Sequence, residues 1–144
     1  MGDNRETGPA APETESIADF DAVCTTADVG ADRLAFWTVA DLERHVDRDA
    51  ILRGDDPPEP PYWAHCWSGA RVLAERVPWR AGRAVELGCG LGLPGLVAAR
   101  RGARVTFVDR LSTPLAFVRA SLASNALDPH HLVVADLLRP AWRA

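Results

Sequence analysis

Eleven consecutive residues, Val85-Glu86-Leu87-Gly88-Cys89-Gly90-Leu91-Gly92-Leu93-Pro94-Gly95, concentrate the chemistry of this chain. A short apolar run with an acidic residue near its end meets a burst of glycines, and a helical pattern follows. That order suits a strand-to-helix turn that holds a nucleotide-like ligand against bare main chain. Glycine fits such a turn because a Cβ would keep the backbone away from the ligand, and because some positions there require positive φ. Two carboxylates lie downstream, Asp109 and Asp136, each directly after an apolar run. A carboxylate at such a place can accept hydrogen bonds from hydroxyl or amino groups. Upstream, Tyr62, Trp63, His65 and Trp67 bring aromatic faces and polar tips within six residues.

These groups must be positioned by regular elements. Ala84–Leu87, Arg104–Val108 and Leu132–Ala135 read as strands. Pro94–Arg101 and Pro114–Asn125 read as the helices between them. Proline suits a first helical turn and Gly102 the position past an end. Ser112 or Thr113 would cap the second helix, and Leu115, Val118 and Leu122 would form its buried side. The alternation predicts an α/β fold with a parallel sheet. On such sheets ligands bind beyond the carboxyl ends of the strands, where the glycines, Asp109 and Asp136 all fall. A capping or turn-forming role is the plainer reading of each Asp taken singly. An earlier helix is expected over about residues 64–77, with Trp63, Trp67, Ala70, Ala74 and Val77 along one face. Another is expected over 41–51, followed by the proline-rich run 57–61. Trp63 reads as core packing, while Trp67 divides evenly between core and ligand contact.

The 144 residues fit one modest domain, and 47% apolar content suffices for a core. A net charge of −4 and a pI near 5.5 argue against a general nucleic-acid binder. All sixteen basic residues are Arg, a bias that reads as genome composition rather than anion recognition. Cys24, Cys66 and Cys89 are an odd number without CxxC spacing. That favours a reducing cytoplasm over a disulfide framework and gives no metal site. Residues 1–16 are polar, without the plan of a signal peptide, and are expected to be a disordered tail. Residues 17–60 are expected to be helical or irregular, and 61–144 to form the ligand-binding domain. No run is long enough for a membrane span.

Two registers of the glycine run compete. Gly90-Leu91-Gly92-Leu93-Pro94-Gly95 fits the dinucleotide fingerprint, with Asp109 roughly 20 positions on, and would imply an NAD-dependent oxidoreductase. It would also carry the strand through Gly88 and Cys89 and place Pro94 among the donors a pyrophosphate needs. The register that starts the turn at Gly88 and keeps Glu86 at the strand end is preferred. In that register Val85–Gly92 resembles motif I of the class I S-adenosylmethionine (SAM)-dependent methyltransferases. Pro61-Tyr62-Trp63-Ala64, Trp67-Ser68-Gly69, Gly102-Ala103-Arg104-Val105 and Asp109 resemble one branch of them. That branch holds the electron-transfer-flavoprotein β-subunit lysine methyltransferase, the family-16 proteins and the nicotinamide N-methyltransferase-like proteins.

The resemblance covers about residues 61–140 and implies a Rossmann-like sheet with helices on both faces. It implies SAM as cofactor. Gly88, Cys89 and Gly90 would lie against its methionine part, with Glu86 positioning main chain or the cofactor amino group. Asp109 would meet the ribose hydroxyls, Asp136 the adenine amino group with Leu137 beside the ring, and Trp67 would flank the cofactor. The implied acceptor is a protein lysine or a small amine, and no catalytic residue is assigned. The family has about seven strands and this chain reaches three, so a truncated methyltransferase is expected. Its open sheet edge would then be covered by a partner or in an oligomer. A non-catalytic or partner-completed cofactor-binding module is the alternative from another class.

Overall fold

The computed structural model describes residues 14–54, 59–128 and 130–139. Two three-stranded sheets enclose a pair of helices. The first sheet is antiparallel and is built from β1 (Thr14–Ile17), β2 (Phe20–Val29) and β3 (Asp32–Val39) in that order. Its hairpins are tight. Ala18 and Asp19, between β1 and β2, both have positive φ, and Gly30 supplies a positive φ between β2 and β3. Two-residue hairpin loops need such backbone because its twist matches that of the flanking strands.

The second sheet is parallel, in the order β4 (Gly82–Leu87), β5 (Ala103–Asp109), β6 (His131–Val134). Glu86 is in register with Phe107, and Asp109 with Val134. Helix α3 (Leu93–Arg100) links β4 to β5, and α4 (Ser112–Ser124) links β5 to β6. Both helices pack on β3 as well as on the parallel sheet. Every residue of α3 from Leu93 to Ala99 is buried, which explains a helix apolar on all sides. Phe107, fully buried beneath the turn, contributes about 1.5–3 kcal/mol by its burial.

The seam between the first sheet and the helices is polar and specific. Asn125 accepts from the Ala35 N–H at 2.9 Å and donates to the Ala35 carbonyl at 2.7 Å. The Trp37 N–H donates to Ser121 Oγ at 3.0 Å, and its indole N–H donates to Ser124 Oγ at 2.9 Å. Side chains at the end of α4 therefore complete the open edge of β3, where unpaired backbone groups would otherwise be buried. Arg101 and Asp32, both mostly buried, form an ion pair at 2.7 Å that ties the end of α3 to the start of β3.

These facts correct several expectations. Residues 14–16 belong to β1 rather than a tail, while residues 1–13 lie outside the described residues. The span 17–60 contains two long strands, not only helical or irregular chain. The helix expected over 41–51 is split into a 3-10 turn, Leu42–His45, and α1 (Arg48–Arg53). The break comes where Val46 is extended and the Asp47 carboxylate caps the Ala50 N–H at 2.8 Å. The helix expected over 64–77 starts only at Ser68, as α2 (Ser68–Arg76); Trp63 lies in a separate 3-10 turn, Tyr62–Ala64. Helix α4 starts at Ser112 with Leu111 as N-cap, and β6 starts and ends one residue earlier than expected.

The alternate side of β4 is bare: Val85 is 63% and Leu87 58% exposed, and β4 is an edge strand of the described sheet.

Candidate cofactor site

Strand β4 ends at Leu87, and the turn begins at Gly88, the register in which Glu86 belongs to the strand. The Cys89 N–H extends the pairing with β5 by one bond, to the Val108 carbonyl at 3.0 Å. The Gly92 N–H returns to the Cys89 carbonyl at 2.8 Å, and Gly92 is the N-cap of α3. Pro94 sits in the first turn of the helix, where its missing N–H costs nothing.

The four glycines of the run do different work. Gly88, Gly90 and Gly92 all have positive φ, at 61°, 50° and 74°. A Cβ on Gly90 would lie 2.9 Å from the Trp63 carbonyl oxygen, and one on Gly92 would lie 2.8 Å from a Val118 methyl. A Cβ on Gly95 would collide with Glu86 and Phe107. Only at Gly88 would a Cβ project into open space. Gly90, Gly92 and Gly95 are therefore required by the protein's own packing, and Gly88 is the position whose bare face is turned to a ligand-sized space.

That space is a cavity of about 670 Å³ at the carboxyl ends of β4 and β5, within the range of small-molecule sites. It brings together Trp67, Glu86, Gly88, Cys89, Gly90 and Asp109, along with Tyr62 and His65. Asp136 and Leu137 do not line it. Asp136 instead accepts from the Leu138 N–H at 2.9 Å in a local turn, and Leu137 is exposed. The sequence reading passed over Cys66, Leu73 and Phe36, which also line the cavity. Phe36 arrives from β3, which the reading did not foresee. The signal available was the all-apolar α3, which calls for a second covering layer.

Three groups set the electrostatics. Asp109 is buried; its carboxylate accepts from the Gly90 N–H at 2.9 Å and from the Leu111 N–H at 3.1 Å. It thereby fixes the glycine turn to the end of β5. Burial pushes the Glu86 carboxyl up to about 8, against a smaller pull from the Gly95 N–H that donates to it at 2.8 Å. Burial, reinforced by Glu86 and Asp109, pushes the Cys89 thiol up, so it stays a protonated, unreactive lining group. Trp67 is 54% exposed; its indole donates to the Tyr62 carbonyl at 3.1 Å and its ring meets His65 edge-on. It is the N-cap residue of α2, placed at the cavity mouth rather than on a helix face.

A Rossmann-like sheet with a glycine turn at its carboxyl edge and a carboxylate on the next strand is the arrangement at which open α/β sheets hold their ligands. Residues 63–142 match the family described as Methyltransferase small domain, and the chain belongs to that family of SAM-dependent methyltransferases. The protein N-lysine methyltransferase METTL21A of Mus musculus is 44% identical over 69 residues, covering 44% of this chain and 31% of that protein. The match thus spans about a third of that relative's length. A solved structure described as "a putative sam-dependent methyltransferase from Streptococcus mutans" aligns with a TM-score of 0.49 at 17% identity. That alignment covers 80% of this chain and 27% of the other.

Proposed function

We propose that this chain binds SAM in the cavity above β4 and β5 and serves methyl transfer to an amine, a protein lysine or a small-molecule amine, in the cytoplasm. One observation carries the reading: six of the eight residues chosen from the sequence as cofactor contacts line a single cavity, and one of the six is Gly88, where a Cβ would meet only open space. Gly88 admits close approach of the ligand to main chain. Asp109 offers its remaining lone pairs to ribose hydroxyls. The exposed ring of Trp67 suits a sulfonium by cation–π attraction. Asp136 and Leu137, outside the cavity, would reach the adenine only from the rim. When bound, SAM supplies an activated methyl group; the chain's part is to hold donor and acceptor in line, which is worth roughly 7–11 kcal/mol in favourable cases. The lysine acceptor is supported by the similarity to METTL21A alone.

Calorimetric titration with SAM, S-adenosylhomocysteine (SAH) and NAD tests the cofactor. Binding of the first two and not of NAD is expected; binding of NAD alone would overturn the reading. Transfer of label from methyl-tritiated SAM into lysate proteins, followed by hydrolysis to methyl-lysine, tests the acceptor. Cofactor binding without transfer would favour a non-catalytic or partner-completed module.

A further inference from the structure

Helix α3 has an unusual problem at its start. Its N-cap is Gly92, which has no side chain to accept the N–H of the third helical residue. That residue is Gly95, whose N–H has no acceptor within its own helix. Ser, Thr, Asp or Asn at the N-cap would ordinarily solve this. No such residue can stand at Gly92, because any Cβ there meets Val118 and Phe107 and φ is left-handed. The acceptor comes instead from the strand on the other side of the turn: Glu86 Oε2 lies 2.8 Å from the Gly95 nitrogen. Gly95 is glycine for the same reason, since a Cβ would occupy the place of the Glu86 carboxyl and the Phe107 ring.

We propose that Glu86 is a positioning residue that caps α3 from β4, bridging both ends of the glycine turn so that Gly88 stays open to the cofactor, and that it does so without needing its charge. This rests on the SAM-binding reading and deepens it. Glu86 faces the Gly95 N–H from α3, the Phe107 ring from β5 and Cys89 from the turn, with the Asp109 carboxylate beyond. None of these supplies a cation. With its carboxyl pushed up to about 8, Glu86 is chiefly the neutral acid at pH 7. A neutral acid accepts the Gly95 N–H through its carbonyl oxygen, as a Gln amide would.

The test compares Glu86→Gln, Glu86→Ala and Glu86→Met by two readouts on the full chain. The first is hydrogen exchange of the Gly95 amide with no ligand present. The second is SAH affinity by calorimetry. Glu86→Gln is expected to keep both within about threefold of the parent. Glu86→Met, which fills the space without an acceptor, is expected to exchange Gly95 at least tenfold faster and bind SAH at least tenfold more weakly. Glu86→Ala should behave like Met, and if it does not fold the Met variant carries the comparison. Loss of affinity in Glu86→Gln with Gly95 still protected would overturn the proposal in favour of a direct charge contact. Unchanged protection in Glu86→Met would overturn it outright. If the parent chain bound no SAH, the cofactor reading would fail, while the exchange arm would still decide the cap.

Discussion

Strand meets helix at two critical places in this molecule, and the two are held by opposite means. At the glycine turn, β4 runs into α3 through backbone with positive φ at Gly88, Gly90 and Gly92, and one acid, Glu86, spans the gap. At the seam, β3 lies against α4, and side chains from the helix stand in for a missing strand: Asn125 on both polar groups of Ala35, Ser121 on the Trp37 N–H. The first joint is local, with nine positions between Glu86 and Gly95; the second joins residues 90 positions apart. The turn is shaped to leave a face open. The seam is shaped to leave no buried donor or acceptor unpaired.

The largest break should come from the residue beneath the glycine turn. Phe107 lies under Gly92 and Gly95 and is fully buried between the helices and the sheet. Phe107→Ala is expected to cost about 3–5 kcal/mol, read by chemical denaturation, and to abolish SAH binding as the turn collapses. Asn125→Ala should separate the two regions. It leaves the Ala35 N–H and carbonyl without their partner, a loss of about 2–3 kcal/mol. SAH affinity at a temperature where the variant is folded should change less than twofold. A tenfold fall would mean that the first sheet shapes the cavity, through Phe36, more than the turn does.

Gly88→Ala inverts that pattern. Its φ of 61° makes the substitution cost about 1–2 kcal/mol of stability. Because the new methyl enters open space at the cavity, SAH affinity should fall at least tenfold. Equal and small changes in both quantities would remove Gly88 from the ligand's path. Asp109→Ala should weaken SAH binding by at least about 1 kcal/mol, roughly fivefold in the dissociation constant. Part of that loss comes from freeing Gly90 and Leu111, whose N–H groups it holds, and part from losing the hydroxyl acceptor. Adenosine as a competing ligand sharpens the assignment, because it has the ribose but not the methionine part.

This contrast also explains what could be read in the sequence. The turn was legible because its logic is contiguous: the acid, the glycines and Pro94 all sit within eleven residues, and each constrains the next. The parallel strands and both connecting helices followed from periodicity, with ends displaced by one or two residues. The first sheet was not legible, because its short alternations are split by Cys24, Thr25 and Thr26, and its outer edge is completed by Asn125 far along the chain. Trp67 was placed on a helix because its spacing to Trp63 is helical, but His65 is extended and breaks the run. Asp136 follows a strand as Asp109 does, but it lies outside the cavity lining and accepts the Leu138 N–H in a local turn.

The smallest expected effect lies just before β6, away from the glycine turn, and it asks whether that place behaves as the seam does. His130 Nδ1 accepts the Val105 N–H at 3.0 Å, so a side chain again completes a strand edge, here just before β6 begins. Burial is the main influence and lowers His130 below its ordinary value. Asp128 pulls the other way, while Arg104 and His131 add to the lowering. A protonated Nδ1 cannot accept, so the folded chain favours the neutral ring. The stability this contributes is complete above about pH 6.5, the ordinary histidine value, and is lost as pH falls through the lower folded value. Glu86, pushed up to about 8 by burial, adds stability as pH falls over the same range, so the His130 contribution is read as a difference between two proteins. On going from pH 7.5 to 5.5 the melting temperature of the parent should fall relative to that of His130→Asn, whose amide oxygen can take the same N–H without titrating. Parallel curves would place the acid sensitivity elsewhere and leave His130 as a packing residue against Phe107.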